Sequence, residues 1–304
     1  MLENLLQIFV FFILGYMARK LKIIPQEYSK AYIDYIMNFG FPALVVYNIY
    51  RLRFSLDVLG IIILGWIVIF LTILASYLIS KSLKLDKKRT VAFIMMSTFS
   101  NTGFLGYPFI HSLYGEEGLR YAVIFDNLAM FLPIYLLAPF IINYAKEGST
   151  KINIKKLLLF PPFIALVIGV SLRPFDVPEI FLNLLKTLGM TVIPIILFSV
   201  GLNLRFSHIG KDLKLLTVNI LAKLFVSPLI LLLILLILKI NLTLPYKVAI
   251  LQLAMPPMVL ASIYLIDADL EKDFAVSSVA IGIILSFLTV LIWYFLLNSL
   301  SHQN

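Results

Sequence analysis

Apolar runs of about twenty residues follow one another along this chain, and the short loops between them hold most of the charge. That pattern restricts the fold more than any other feature. A helix needs about 20 apolar residues to cross a hydrocarbon core ~30 Å thick. The core offers backbone groups no water, so only helices and closed barrels can cross it. A barrel would alternate apolar and polar residues over strands of ~10 residues, and no such alternation occurs. Charged residues make up 13% of the 304, about half the share usual in soluble domains. The chain is therefore expected to be an all-α integral membrane protein of the lipid bilayer.

The runs place ten spans, near 4–19, 31–51, 58–80, 90–113, 118–144, 157–173, 179–204, 213–238, 246–267 and 273–298. The first run opens on Glu3, without a basic leader, and reads as a retained span. Odd-numbered loops hold 17 of the 25 Lys and Arg, and even-numbered loops hold 6. The positive-inside rule then puts odd loops in the cytoplasm and both termini outside, in a cell membrane. Because the net charge of +9 sits largely in these loops, it does not indicate nucleic acid. The chain has no cysteine, and His111, His208 and His302 share no spacing that would hold a metal. With no nucleotide, dinucleotide or nucleophile motif, an enzyme is not expected, and no cofactor is implied.

Two breaks interrupt this plan. The stretch Ser100-Asn101-Thr102-Gly103, continuing to Gly106 and Pro108, lies inside span four, and Pro256-Pro257 lies inside span nine. Asn101 and Pro256 are 155 residues apart, about half the chain. A second correspondence supports a repeat. The segment from Pro42 to Leu52-Arg53-Phe54 matches that from Pro194 to Leu204-Arg205-Phe206 at an offset of 152. Repeats of five spans enter the membrane from opposite sides, which is an inverted-topology repeat. The expected halves are 1–145 and 157–304, joined by the cytoplasmic linker 146–156. Broken spans four and nine are expected to cross at the midplane. The segment Tyr114 to Gly118 reads as the loop between spans four and five, with Glu116 and Glu117 solvated.

Asn101-Thr-Gly-Phe-Leu-Gly-Tyr-Pro108, then Tyr114-Gly-Glu-Glu-Gly118 and Asp126-Asn127, resemble the fourth and fifth spans of the auxin efflux carrier family. Pro42, Pro194 to Gly201, and Ala254-Met-Pro-Pro257 resemble its second, seventh and ninth spans. The chain is similar to prokaryotic members. Ser100 stands where the plant exporters carry an additional proline, and their long central loop is reduced to about ten residues. The resemblance implies a secondary transporter of small organic anions, auxin-like carboxylates or dicarboxylates, working by elevator-type alternating access. It also implies a scaffold of spans one, two, six and seven, a transport domain of spans three to five and eight to ten, and a homodimer. The alternative is a non-transporting receptor or an intramembrane enzyme.

Candidate substrate contacts follow from residue chemistry. Asn101 can donate to a carboxylate or cap the half-helix after the break, and Ser100 and Thr102 add hydroxyls. Gly103, Gly106 and Pro108 shape the break. Pro256 and Pro257 remove two backbone donors, so carbonyls near Gln252 and Leu253 should lack partners and could hold a cation. Gln252 itself lies one turn before the break. Asp126 and Lys223 lie deep in spans five and eight, where ionisable groups are costly and functional by default. They either pair or serve separately, with Lys223 near the anion. A coupling ion, H+ or Na+, is left open, as is Na+ at Asp126.

Overall fold

The computed structural model describes residues 2–146, 155, 158–204 and 212–301. Most of the linker 146–156, together with Arg205, Phe206, His208, Lys211, His302 and Gln303, lies outside the described residues. Among the described residues every regular element is a helix, apart from one isolated β-bridge. Five helical segments are long and apolar enough to cross a membrane: Leu56–Ser82, Thr102–Asn143, Glu179–Asn203, Leu213–Ile237 and Lys272–Ser301. The protein is a multi-pass membrane protein.

Fewer than ten continuous spans appear, for identifiable reasons. The breaks at 99–101 and 254–258 leave helices of 12, 10 and 9 residues on either side of them. The helix Pro161–Ser171 is short, at 11 residues. The connection expected at Tyr114 to Gly118 is present but very short, a kink at Gly115 where two helices meet within Tyr107–Phe125. Gly115 carries it, with φ 66° and ψ −158°, a conformation almost confined to glycine. A Cβ there would meet nothing within 4 Å, so the constraint is backbone alone. Gly115→Ala should therefore cost about 1–3 kcal/mol, read as a lowered thermal unfolding temperature. An unchanged temperature would show that the kink tolerates a side chain. Glu116 is likewise not simply solvated, since it forms an ion pair with Lys186.

Among the described residues four π-helical turns interrupt the helices, at Ile36–Gly40, Thr102–Gly106, Asp126–Phe131 and Ala222–Val226. Each is followed, two residues after its end, by a proline: Pro42, Pro108, Pro133 and Pro228. A proline ring inside a helix collides with the carbonyl four residues back and lacks an N–H for it. The wider π turn makes room for the ring and leaves a carbonyl without a backbone donor.

The chain divides into two compact units. Unit 1 comprises 1–54, 103–127 and 153–204, and unit 2 comprises 55–102, 128–152 and 205–304.

Unit 1 packs through small residues. We label its helices α1 (Leu2–Lys20), α2 (Phe41–Arg51), α3 (Pro161–Ser171), α4 (Glu179–Met190) and α5 (Val192–Asn203). Helices α1 and α5 meet at Gly15 and Gly201. A Cβ at Gly15 would strike the Phe198 carbonyl, and one at Gly201 would strike that of Phe12. Gly169 of α3 and Gly189 of α4 lie against Ile49 and Leu44 of α2. Small residues at such contacts are how helices approach closely in lipid, where apolar surface alone gives no drive to associate. Arg173 closes the C-terminus of α2 by donating to the Leu52 carbonyl at 2.6 Å.

Unit 2 carries buried hydroxyl contacts between helices. Thr72 and Ser227 share a hydrogen bond at 3.1 Å, and Ser97 donates to Ser76 at 2.7 Å. Both tryptophans of the chain serve π turns. Trp66 donates its indole N–H to the Leu128 carbonyl at 2.9 Å, and Trp293 donates to that of Leu224 at 3.0 Å. Leu224 is four residues before Pro228. Leu128 is five before Pro133, the π-register partner. The indoles thus take the places of the amide N–H groups that the two prolines lack.

Candidate functional site

The two sequence breaks meet inside unit 2. Ser100 and Pro257 form an antiparallel β-bridge. Asn101 N–H donates to the Pro256 carbonyl at 2.8 Å, and Met258 N–H donates to that of Phe99 at 2.9 Å. The bridge draws its donors from the residues flanking Ser100 and Pro257, so the prolines' missing N–H groups do not weaken it. Three half-helices end or begin here: Lys87–Thr98, Leu244–Leu253 and Val259–Asp267. Gly282 of the helix Lys272–Ser301 lies against both proline rings, and a Cβ there would come within 2.5 Å of Pro257 Cδ and 3.2 Å of Pro256 Cβ.

The carbonyls before the prolines are not left bare, contrary to the sequence expectation. Met255 N–H donates to the Gln252 carbonyl at 3.3 Å. The Leu253 carbonyl, four residues before Pro257, accepts two side chains. Lys223 Nζ donates to it at 2.8 Å and Ser100 Oγ at 3.1 Å. A donor from another element replaces the missing one, as at the two tryptophan sites. The Ser100 N–H points at Met130 Sδ, 3.3 Å away.

Ser100, Thr102, Gln252 and Lys223 are all fully buried. Asn101 is 3% exposed, and its side-chain Nδ2 makes no hydrogen bond. Buried amide donors without acceptors are uncommon and costly. Unit 2 therefore brings together Ser100, Asn101, Thr102, Gln252, Lys223, Pro256 and Pro257.

Unit 1 gathers Gly103, Gly106, Pro108 and Asp126. Asp126 is half-buried at the start of a π turn. Its Oδ2 accepts from Tyr107 Oη at 2.6 Å, and Gly103 leaves room beside that same oxygen. The Tyr107 ring packs edge-on against Phe41, 5.4 Å between centroids. Pro108 falls in the first turn of its helix, after the π turn Thr102–Gly106. Sequence reading did not single out Tyr107, Met130, Trp66 or Trp293. The tryptophans had one usable signal, since an indole N–H inside an apolar span must find an acceptor.

Residues 1–294 match the family described as membrane transport protein. An uncharacterized transporter of Methanothermobacter thermautotrophicus is 28% identical over 296 residues, covering 96% of each chain. An uncharacterized transporter of Methanocaldococcus jannaschii is 29% identical over 213 residues, covering 67% of this chain and 68% of its own. Among the described residues no cluster of His, Asp or Glu is placed to hold a metal ion. With the match running through nearly the whole length, the chain belongs to the membrane transport protein family.

Proposed function

We propose that the protein is a secondary transporter of small organic anions and receives their carboxylate at Asn101. The observation that carries this reading is the Asn101 amide, 3% exposed, with its Nδ2 unbonded beside the helix crossing. A buried unsatisfied donor costs about 1–3 kcal/mol, and a hydrogen bond to a charged group contributes about 1.5–3 kcal/mol. An arriving carboxylate removes the first and supplies the second. Thr102 and Gln252 are the further candidate contacts at the break.

The wider architecture follows from the sequence. The family resemblance and the paired offsets of 152 and 155 support ten spans in two inverted repeats. On this reading spans three to five and eight to ten are the moving body of an elevator and spans one, two, six and seven its scaffold, assembled as a homodimer, although residues 103–127 of spans four and five pack within unit 1. Loop charge supports a cell-membrane protein with both termini outside. Resemblance to auxin efflux carriers favours aromatic carboxylates and dicarboxylates as cargo.

The test is binding and flux with defined probes. Indole-3-acetate, benzoate and succinate are offered to the purified protein and to proteoliposomes. At least one should raise the melting temperature and cross the membrane. Asn101→Asp keeps a capping oxygen but places a negative charge where the anion binds. It should retain the apo melting temperature and lose tenfold or more in affinity, the equivalent of at least ~1.4 kcal/mol. If N101D binds the anion as the parent does, Asn101 does not line the site.

A further inference from the structure

Three carbonyls freed by prolines in unit 2 have been replaced in their hydrogen bonding, and the replacements differ in kind. Leu128 and Leu224 meet indole N–H groups, while Leu253 meets the side-chain nitrogen of Lys223. Lys223 has no exposed surface, and among the described residues Leu253 O is the hydrogen-bond partner of its Nζ. No ion pair with a carboxylate is formed by Lys223 among the described residues. Burying a lysine for one hydrogen bond is costly where a serine or indole would serve. The surroundings supply a reason for the charge.

Leu253 ends the helix Leu244–Leu253, and unsatisfied carbonyls at a helix C-terminus carry negative partial charge. A second helix, Lys87–Thr98, also ends beside the break. The Ser100 hydroxyl and the Leu253 carbonyl are oxygen ligands of the type that hold alkali cations. Lys223 reaches them from the π turn Ala222–Val226, so the turn made by Pro228 also aims the lysine.

We propose that the Lys223 ammonium is a built-in cation at the break of span nine. It fills the position that a monovalent metal ion would otherwise take, and it removes Na+ from this break as a coupling ion. The proposal concerns the apo protein and does not depend on which anion is carried.

The test needs no substrate. Melting temperature is measured for the purified protein in NaCl and in choline chloride at equal ionic strength. The parent should melt at the same temperature in both. Lys223→Ala opens a space beside Leu253 O and Ser100 Oγ. Its melting temperature should fall in choline and recover saturably as Na+ is added, as linkage to one new site requires. A parent protein stabilised saturably by Na+ overturns the proposal, and so does a folded K223A that ignores Na+, Li+ and K+. Where K223A does not fold, K223Q decides, because it keeps a donor and loses the charge. A parental melting temperature in choline, or a deficit that Na+ leaves in place, overturns the assignment. A deficit that Na+ removes supports it.

Discussion

Gly201→Ala is expected to be among the most damaging single-methyl changes in this protein. The added Cβ would lie inside the van der Waals surface of the Phe12 carbonyl and close to the Tyr16 amide. Both are main-chain atoms of a helix, so no rotamer change can relieve the collision. Helices α1 and α5 would have to separate along their contact. Overpacking of this kind costs typically 1–3 kcal/mol and occasionally more; with backbone on both sides the upper end, ~3 kcal/mol, is expected. Gly15→Ala makes the reciprocal collision with Phe198 and should cost about the same. The two act on one contact, so the double variant should lose much less than the sum. Thermal unfolding of the three proteins in one detergent tests this. Parental stability in G201A, or full additivity in the pair, would mean that the helices do not meet through these glycines.

Gly282→Ala should have the second largest effect, and it should fall on transport as well as on stability. Its Cβ would come within 2.5 Å of a proline ring carbon. A proline ring cannot swing away as a lysine tip can, because its φ is fixed. The helix Lys272–Ser301 must retreat, or the break must shift relative to Ser100. Either movement disturbs the Leu253 carbonyl and its two donors. We expect a loss of ~1–3 kcal/mol and at least a tenfold fall in flux of whichever carboxylate the parent carries. Parental flux in a destabilised G282A would show that the exact position of the crossing does not limit the transport step.

Much of this was legible in the residues. Ser100-Asn101 and Pro256-Pro257 announce helix breaks because those residue types do not continue an apolar helix. The half-chain offset leads to the expectation that they meet, and the bridge between Ser100 and Pro257 joins them. Lys223 could be singled out because a charge at that depth needs a reason. Its acceptor could not be read, since the freed Leu253 carbonyl and Lys223 are joined by tertiary packing alone. Asp126 was flagged on the same ground, but its partner Tyr107 was missed, although only nineteen residues away. The intervening kink at Gly115 changes helical phase, so spacing along the sequence no longer gives the facing residue. The π turns were invisible for a different reason. They insert one residue into a ladder whose apolar sequence shows no periodic mark. In hindsight Pro42, Pro108, Pro133 and Pro228, each inside a span, were the sign.

The tryptophan hydrogen bonds have an optical consequence. The chain contains two tryptophans, and both belong to unit 2. Each indole N–H is bonded to a main-chain carbonyl beside a π turn, Trp293 while 3% exposed and Trp66 while partly buried. Emission excited at the red edge of protein absorbance therefore originates wholly within the unit that holds the crossing. The other unit is dark at that wavelength. Replacing one indole by phenylalanine leaves a single native fluorophore on either the Leu128 or the Leu224 carbonyl, so the two halves of the crossing unit can be watched separately, without any attached dye.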